Sequence, residues 1–172
     1  SYQKAMSPQI VKAKGPRAKI QKIRPFDLEY RKQIEGDIAE AAVQYIKQQA
    51  KTGKPFFLQI GWTRPHFPND TGPEFKGKSG VNKYGDSVVE LDYRTGEVLD
   101  AIRKAGIEDN TIVIFISENG PTMTAAPRDE IHAGDAGPFR GELGDAYEGS
   151  IRTAGMIKWP GKIKPSVSNE MF

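Results

Sequence analysis

The sequence predicts an α/β protein in which a parallel-rich sheet is flanked by helices. Two apolar runs have the length of strands, residues 55–61 (PFFLQIG) and 111–117 (TIVIFIS). A segment with helical periodicity lies between them, so the order is strand, helix, strand, as in a βαβ unit. Strands that are apolar on both faces are typical of a parallel sheet covered by helices.

A long amphipathic helix is predicted before the first of these strands, over residues 28–51. Asp27 is a suitable N-cap residue, and Gly53 a suitable stop. The apolar positions recur at helical spacing: Ile34, Ile38, Ala41, Ala42, Tyr45 and Ile46. A weaker third strand is predicted over residues 154–159, where Pro160 follows.

A second amphipathic helix is predicted between the two apolar runs. It is expected to begin near Asp86 or Ser87, because Ser87 and Glu90 have the spacing of a capping box. Gly106 is expected to end it. Its apolar positions are Val88, Leu91, Val98, Leu99 and Ile102.

The composition of the chain excludes several classes of function. The chain has 172 residues, enough for one domain of ordinary size. No apolar run approaches the roughly 18 residues of a membrane span, so we expect no transmembrane segment. The absence of cysteine excludes disulfides, thiolate zinc sites and a cysteine nucleophile within these residues.

The net charge of +3 is unevenly distributed. Residues 1–24 contain seven basic side chains and no acid, whereas residues 25–172 contain 18 basic and 22 acidic side chains. We therefore divide the chain into an extended basic segment, residues 1–24, and a folded part, residues 25–172. A nucleic-acid partner would depend on the basic segment alone, and we expect none.

Side chains that could bind a ligand or take part in catalysis follow both predicted strands. In parallel sheets, ligands bind at this edge, beyond the carboxyl ends of the strands. Arg64 and His66 follow the first, and Glu118 and Asn119 follow the second. Carboxylate and amide oxygens suit a hard divalent cation, although Asn-Gly-Pro is also turn-forming chemistry. His66 is a candidate proton or hydrogen-bond donor. Arg64 is a candidate oxyanion ligand, or a surface arginine.

A glycine-rich segment over residues 137–152 is the third candidate feature. Glycine permits close approach of the backbone to a ligand, but a tightly turned connection is the alternative. It is not a P-loop, because the Lys-Ser/Thr ending is missing. His132 lies just before this segment and is a further candidate for the same place.

Taken together, these stretches resemble the central part of a sulfatase of the arylsulfatase type, within the alkaline phosphatase superfamily. They occur in the order of that family and extend over roughly residues 25–163. The matching stretches are residues 54–58 with 64–68, residues 84–93 with 99–102, residues 106–121, and residues 137–141 with 148–152 and 158–163.

This resemblance implies hydrolysis of a small sulfate ester or a sulfated glycan. It implies a Ca²⁺ or Mg²⁺ ion and a formylglycine nucleophile made within a Cys/Ser-x-Pro-x-Arg motif. His66 falls on the histidine that contacts the sulfate ester in the family, and Asn119 on a metal-binding asparagine. Glu118 occupies the place of a metal-binding aspartate. The family is often periplasmic or secreted in bacteria.

Besides Glu118, which replaces an aspartate, the sequence departs from the family pattern in three respects. Leu143 stands where the family often has a sulfate-binding lysine, so Arg140, Arg128 or His132 would have to supply that charge. No Cys/Ser-x-Pro-x-Arg motif and no upstream acidic pair occur. We therefore expect an internal piece of a sulfatase that is inactive by itself and, with sheet edges and apolar helix faces exposed, prone to self-association.

Two other functions remain open at this point. One is hydrolysis of a phosphodiester or phosphonate ester on the same superfamily fold. The other is a non-catalytic module that binds anionic glycans through the basic segment.

Overall fold

The computed structural model describes residues 9–13, 15, 17–122 and 134–168. They belong to two compact units. The first comprises Ser1–Glu40 and Ile60–Arg94, and the second comprises Ala41–Gln59 and Thr95–Phe172.

The first unit begins with two short strands in the segment predicted to be extended. Strand β1 (Gln9–Lys12) pairs antiparallel with β2 (Gln21–Pro25). Ile10 lies opposite Arg24, and the register shifts between Ile10 and Val11. The side chains of β2 are all exposed, so this pair contributes little to the core.

The helix predicted over residues 28–51 is present but divided. Helix α1 (Leu28–Arg31) is followed by a turn and then by α2 (Ile34–Ala50). Asp27 is extended and its side chain accepts a hydrogen bond from the Tyr30 backbone N–H at 2.8 Å, which confirms the predicted N-cap. The predicted stop is also confirmed, because Gly53 has a φ of 65°.

Helix α3 (Lys83–Lys104) begins earlier than predicted. The Asn82 side chain accepts a hydrogen bond from the Gly85 N–H at 2.8 Å, so Asn82 caps this helix. The predicted capping box is wrong, because Ser87 and Glu90 lie within the helix, where Ser87 donates to the Tyr84 carbonyl at 2.7 Å. Gly106, with a φ of 70°, follows the helix as predicted.

The second unit contains an antiparallel strand pair. Strand β3 (Val113–Ile116) pairs with β4 (Gly155–Lys158), and helix α4 (Glu148–Ile151) precedes β4. Both strands confirm predicted runs. Two 3-10 turns complete the described elements, Pro73–Phe75 in the first unit and Glu108–Asn110 in the second.

The prediction of a strand over residues 55–61 is wrong. This run is assigned to no strand, and Phe57 is 85% exposed. A strand needs a neighbour to bond its backbone groups, and the partner of β3 among the described residues is β4, which is antiparallel. Parallel pairing of the two predicted strands is therefore absent from the described residues. No helix in the described ranges is long and apolar enough to cross a membrane.

Asp86, on the first turn of α3, connects the helix to the preceding loop. Its carboxylate accepts hydrogen bonds from the Gly77 N–H at 2.7 Å, the Ser79 N–H at 2.9 Å and the Ser79 hydroxyl at 2.8 Å. Burial raises the pKa of Asp86, but these three hydrogen bonds outweigh it and hold the pKa below its ordinary value.

Replacing Asp86 with asparagine should therefore lower stability in a pH-dependent way. A depressed carboxylate pKa stabilises the fold above the unfolded-state pKa, and this contribution disappears as the pH falls through the folded-state pKa. We expect Asp86→Asn to lower the free energy of unfolding by about 1–3 kcal/mol at pH 7, and the difference to shrink as the pH falls below the unfolded-state pKa.

Urea unfolding of both proteins between pH 7 and pH 3 measures this effect. The control is Asp92→Asn, at an exposed position on the same helix. A stability difference that does not change with pH would contradict a role for the Asp86 charge.

Candidate functional site

His66 is presented on an exposed loop of the first unit. The His66 N–H donates to the Thr63 carbonyl at 3.1 Å, and the ring Nδ1 lies 2.6 Å from the Phe67 carbonyl oxygen. A carbonyl oxygen only accepts hydrogen bonds, so Nδ1 carries the proton. In the neutral ring, Nε2 is then the nitrogen with a free lone pair, and in the imidazolium ring both nitrogens are donors.

Arg64 does not have the position expected of an oxyanion ligand or of a surface arginine. It is buried, and its Nε donates to Glu90 Oε2 at 2.9 Å in an ion pair whose two side chains are fully inaccessible. Its Nη2 donates to the carbonyls of Arg31 and Asp70. Its guanidinium is therefore hydrogen-bonded to groups inside the protein, and these bonds support the loop.

Arg31 and Glu35 are the residues that the sequence analysis missed. Arg31 donates to the carbonyls of Pro68 at 2.9 Å, Thr63 at 3.3 Å and His66. Glu35 accepts from the Thr63 N–H at 2.9 Å and from the Thr63 hydroxyl. One sequence signal was available, since these charges are four residues apart and fall on the apolar stripe of the helical segment.

Burial shifts the ionisation of this group of side chains. The pKa of Arg31 is lowered by burial, and the neighbouring Arg64 cation acts in the same direction. The pKa of Glu90 is raised by burial, while its hydrogen bond and its attraction to Arg64 act in the opposite direction. The group is thus a desolvated set of charges that compensate one another.

Glu118 and Asn119 follow β3 in the second unit, as predicted. Glu118 is exposed and Asn119 is half-buried. The Asn119 Nδ2 donates to the Gly120 carbonyl at 2.7 Å, and the Ser117 hydroxyl donates to the Asn119 carbonyl at 3.2 Å. The first of these bonds orients the amide and leaves Oδ1 as its acceptor. The turn thus offers one carboxylate and one amide oxygen.

The glycine-rich segment packs its backbone against this turn. The Gly120 N–H donates to the Ser150 carbonyl, the Leu143 N–H to the Pro121 carbonyl, and the Gly149 N–H to the Arg140 carbonyl, each at 2.8 Å. A Cβ on Gly120 would lie 1.9 Å from the Gly149 oxygen, and a Cβ on Gly149 would lie 2.2 Å from the Gly141 oxygen. The glycines therefore allow backbone to approach backbone here.

The remaining candidates have separate positions. Arg140 is exposed, and its guanidinium carbon lies 4.1 Å from the centre of the Tyr147 ring. Leu143 is 46% exposed. His132 and Arg128 lie outside the described residues. Arg64 and His66 belong to the first unit, whereas Glu118, Asn119 and Arg140 belong to the second.

The Sulfatase family model matches residues 9–172. The chain belongs to the sulfatase family. It is 34% identical to an N-acetylgalactosamine-6-O-sulfatase of Bacteroides thetaiotaomicron over 144 residues, which is 79% of this chain and 28% of that relative. It is 36% identical to human arylsulfatase A over 118 residues, which is 69% of this chain and 22% of that relative.

Solved structures of sulfatases have the same fold. The PsFucS1 sulfatase from Pseudoalteromonas sp. superposes with a TM-score of 0.76 at 32% identity, over 85% of this chain and 28% of that one. A Bacteroides thetaiotaomicron sulfatase, described with a genetic locus that orchestrates the metabolism of multiple glycosaminoglycans, superposes with a TM-score of 0.73 at 33% identity, over 78% of this chain and 29% of that one. These similarities confirm the predicted α/β, alkaline phosphatase-like fold. The chain spans less than a third of the length of these relatives.

Alanine substitution is predicted to change stability in opposite directions at two glycines, Gly149 and Gly96. Gly149→Ala should lower the free energy of unfolding by about 2 kcal/mol or more, because the new methyl group meets backbone oxygens that cannot turn away. Gly96→Ala, within α3, meets nothing within 4 Å. It should stabilise the chain by about 0.5–1 kcal/mol.

Denaturant unfolding of both variants measures the two effects. If Gly149→Ala were as stable as the unaltered chain, the close contact of these backbone segments would be refuted.

Proposed function

We propose that a complete sulfatase containing this sequence hydrolyses a sulfuric ester and that His66 donates a proton to the leaving oxygen. The observation that carries this proposal is the ring geometry of His66. Its Nδ1–H is bonded to the Phe67 carbonyl, and the ring itself is exposed. Membership of the sulfatase family and the sulfatase relatives support the type of bond cleaved.

The proposed role of His66 follows from its hydrogen bonding. In the imidazolium form, Nδ1 donates to the Phe67 carbonyl and Nε2–H is available to an ester oxygen. As the nucleophile bonds to sulfur and the bond from sulfur to the ester oxygen breaks, the leaving oxygen gains negative charge and takes the Nε2 proton. The ring is then neutral, with Nδ1–H unchanged, so the Phe67 carbonyl keeps the same partner throughout the step.

Glu118 and Asn119 are proposed as two ligands of a Ca²⁺ or Mg²⁺ ion. Their carboxylate and amide oxygens are the donors that such hard cations prefer, and Asn119 has its amide oriented with Oδ1 as acceptor. Within the described ranges, no group of three or more acidic, histidine or cysteine side chains could hold a metal. Further ligands would therefore come from other residues. A bound cation would reduce the negative charge on the sulfate oxygens.

The nucleophile is proposed to be a formylglycine from a part of the protein outside this sequence, because the chain has no cysteine and no Ser-x-Pro-x-Arg motif. Leu143 cannot contribute the charge of a lysine. We propose Arg140 as a substitute, with His132 and Arg128 as further candidates. Arg140 is exposed above Tyr147, whereas Arg152 in the same segment is bound to Glu148 at 2.8 Å.

The substrate is proposed to be a small sulfate ester or a sulfated glycan. The relatives include an N-acetylgalactosamine-6-O-sulfatase, a steryl-sulfatase and an arylsulfatase A, so the shared chemistry is the sulfate group. The alcohol that carries the sulfate differs among them, and it would be distinguished by comparing hydrolysis of aryl, steryl and sugar sulfates.

The His66 proposal predicts an effect that depends on the leaving group. In the complete sulfatase, His66→Ala should lower kcat by roughly 100-fold or more for an alkyl or sugar sulfate, whose leaving oxygen needs a proton. The loss should be smaller for 4-nitrophenyl sulfate, because nitrophenolate leaves readily without one. His66→Gln retains an N–H donor but cannot transfer a proton, so it should behave like His66→Ala on the alkyl substrate.

Three outcomes would each contradict part of this proposal. Equal losses for both leaving groups would exclude proton donation by His66. Hydrolysis of 4-nitrophenyl phosphate but not of the sulfate by the unaltered protein would overturn the sulfatase proposal. The isolated 172-residue chain, which has no cysteine, is expected to release no sulfate, and turnover by it would contradict a nucleophile outside this sequence.

We also propose that the isolated chain self-associates through the β3–β4 pair. Ile114 is 63%, Ile116 69% and Ile157 53% exposed, and Ile157 is the cross-strand partner of Ile114, so one face of the pair is an apolar surface open to solvent. Ile114→Lys should raise the monomer fraction in light scattering across a concentration series. The control Val81→Lys makes the same change at an exposed loop position. Equal effects of the two variants would refute this surface.

A further inference from the structure

We infer that four buried charged residues, Arg31, Glu35, Arg64 and Glu90, form a positioning cluster that fixes the loop carrying His66. The catalytic consequence of this cluster depends on the proposed function of His66. Its effect on the geometry of the histidine ring does not.

Arg31 binds the loop through three of its backbone carbonyls. Its guanidinium donates to Thr63, His66 and Pro68, which precede, include and follow the histidine. The planar fork of an arginine can hold several acceptors in fixed directions, which a lysine ammonium cannot reproduce. The backbone of His66 is thus held at its carbonyl by Arg31 and at its N–H by the Thr63 carbonyl.

Glu35 fixes the start of the same turn. One carboxylate oxygen, Oε1, accepts both the N–H and the hydroxyl of Thr63. Thr63 therefore has its N–H and hydroxyl bound to Glu35 and its carbonyl bound by the His66 N–H and by Arg31. A shift of Thr63 would move the acceptor to which the His66 backbone is bonded.

Arg64 and Glu90 complete the cluster. Arg64 donates to Glu90 and to the carbonyl of Asp70, beyond the histidine, and also to the carbonyl of Arg31. It thereby connects both sides of the loop to the chain segment that carries Arg31. With Arg31, Arg64, Glu35 and Glu90, the cluster has two cations and two anions, so it can be buried without net charge.

Stability alone is a weak explanation for these buried charges. The relative exposure of the four residues is 6% for Arg31, 4% for Arg64 and 0% for both glutamates. Burying charges is costly, and a well-packed apolar substitute is often as stable. Among the described residues, Glu35 Oε2 and Arg64 Nη1 are buried without a hydrogen-bond partner. The cluster instead provides a set of directional hydrogen bonds to one short loop.

The tautomer of His66 provides a test that does not depend on activity. The chain has only two histidines, so ¹⁵N NMR of histidine-labelled protein resolves both rings, and His132→Gln assigns them. At a pH where the ring is neutral, the Nδ1–H tautomer of His66 should predominate in the unaltered chain. Glu35→Ala should reduce its population by at least about twofold, because Thr63 is released and the Phe67 contact is no longer enforced.

The conservative variant separates positioning from a general loss of structure. Glu35→Gln keeps an acceptor oxygen for Thr63 and should retain the Nδ1–H tautomer. Glu40→Ala, at an exposed position on the same helix, is the control and should have no effect. A folded Glu35→Ala chain with the tautomer population of the unaltered chain would overturn the inference.

A second variant covers the case in which Glu35→Ala does not fold. Thr63→Val removes one hydrogen bond to Glu35 while keeping the side-chain outline. It should shift the tautomer population in the same direction, and an unchanged population in the folded Thr63→Val chain would also overturn the inference.

In the complete sulfatase, Glu35→Ala should lower kcat by roughly 100-fold, as expected for a misplaced catalytic group, with a small change in KM and recovery in Glu35→Gln. A changed tautomer without any sulfatase activity in the unaltered protein would refute the proposed function and leave the positioning role intact. A changed tautomer with unaltered kcat in Glu35→Ala would refute the catalytic consequence.

Discussion

The buried ion pair between Arg64 and Glu90 is the constraint on which the His66 loop depends. Neither side chain is accessible to solvent, so each needs the other to compensate its charge in a region of low dielectric. Arg64 lies two residues before His66, and Glu90 lies on α3. Their pairing therefore fixes the loop to a helix, and the bonds from Arg31 and Glu35 then act on a loop whose position is already restricted.

How far the site could be predicted from sequence depends on the kind of interaction. Glu118 and Asn119 were found because a strongly apolar run ends directly before them, and strand ends are recognisable from hydrophobic pattern. The role of Arg64 was not found, because a charged residue in a Pro-rich loop gives no sign of its burial. Its partner Glu90 lies 26 residues away, and the Ser-x-x-Glu spacing that contains it suggested a helix cap instead.

The fold was predictable to a similar degree. Helix ends marked by glycine and the strand of β-branched residues were correct, because these signals are local. The run over residues 55–61 was not correct, because a strand exists only through bonds to a neighbour, and apolar character alone does not specify one. The pairing of β3 with β4 across about 40 residues likewise depends on long-range packing that periodicity does not encode.

The two sets of candidate residues, each within its own unit, are held in place by different means. The His66 loop is fixed by buried charged side chains, whereas the turn after β3 is fixed by backbone contacts that only glycine permits. At the charged cluster, charge can be changed without changing shape, because an amide side chain has the outline of the carboxylate that it replaces. At the glycines no such partial change exists, because any side chain at Gly149 would occupy the space of a backbone carbonyl. We therefore expect substitutions in the charged cluster to be tolerated more readily than substitutions at these glycines.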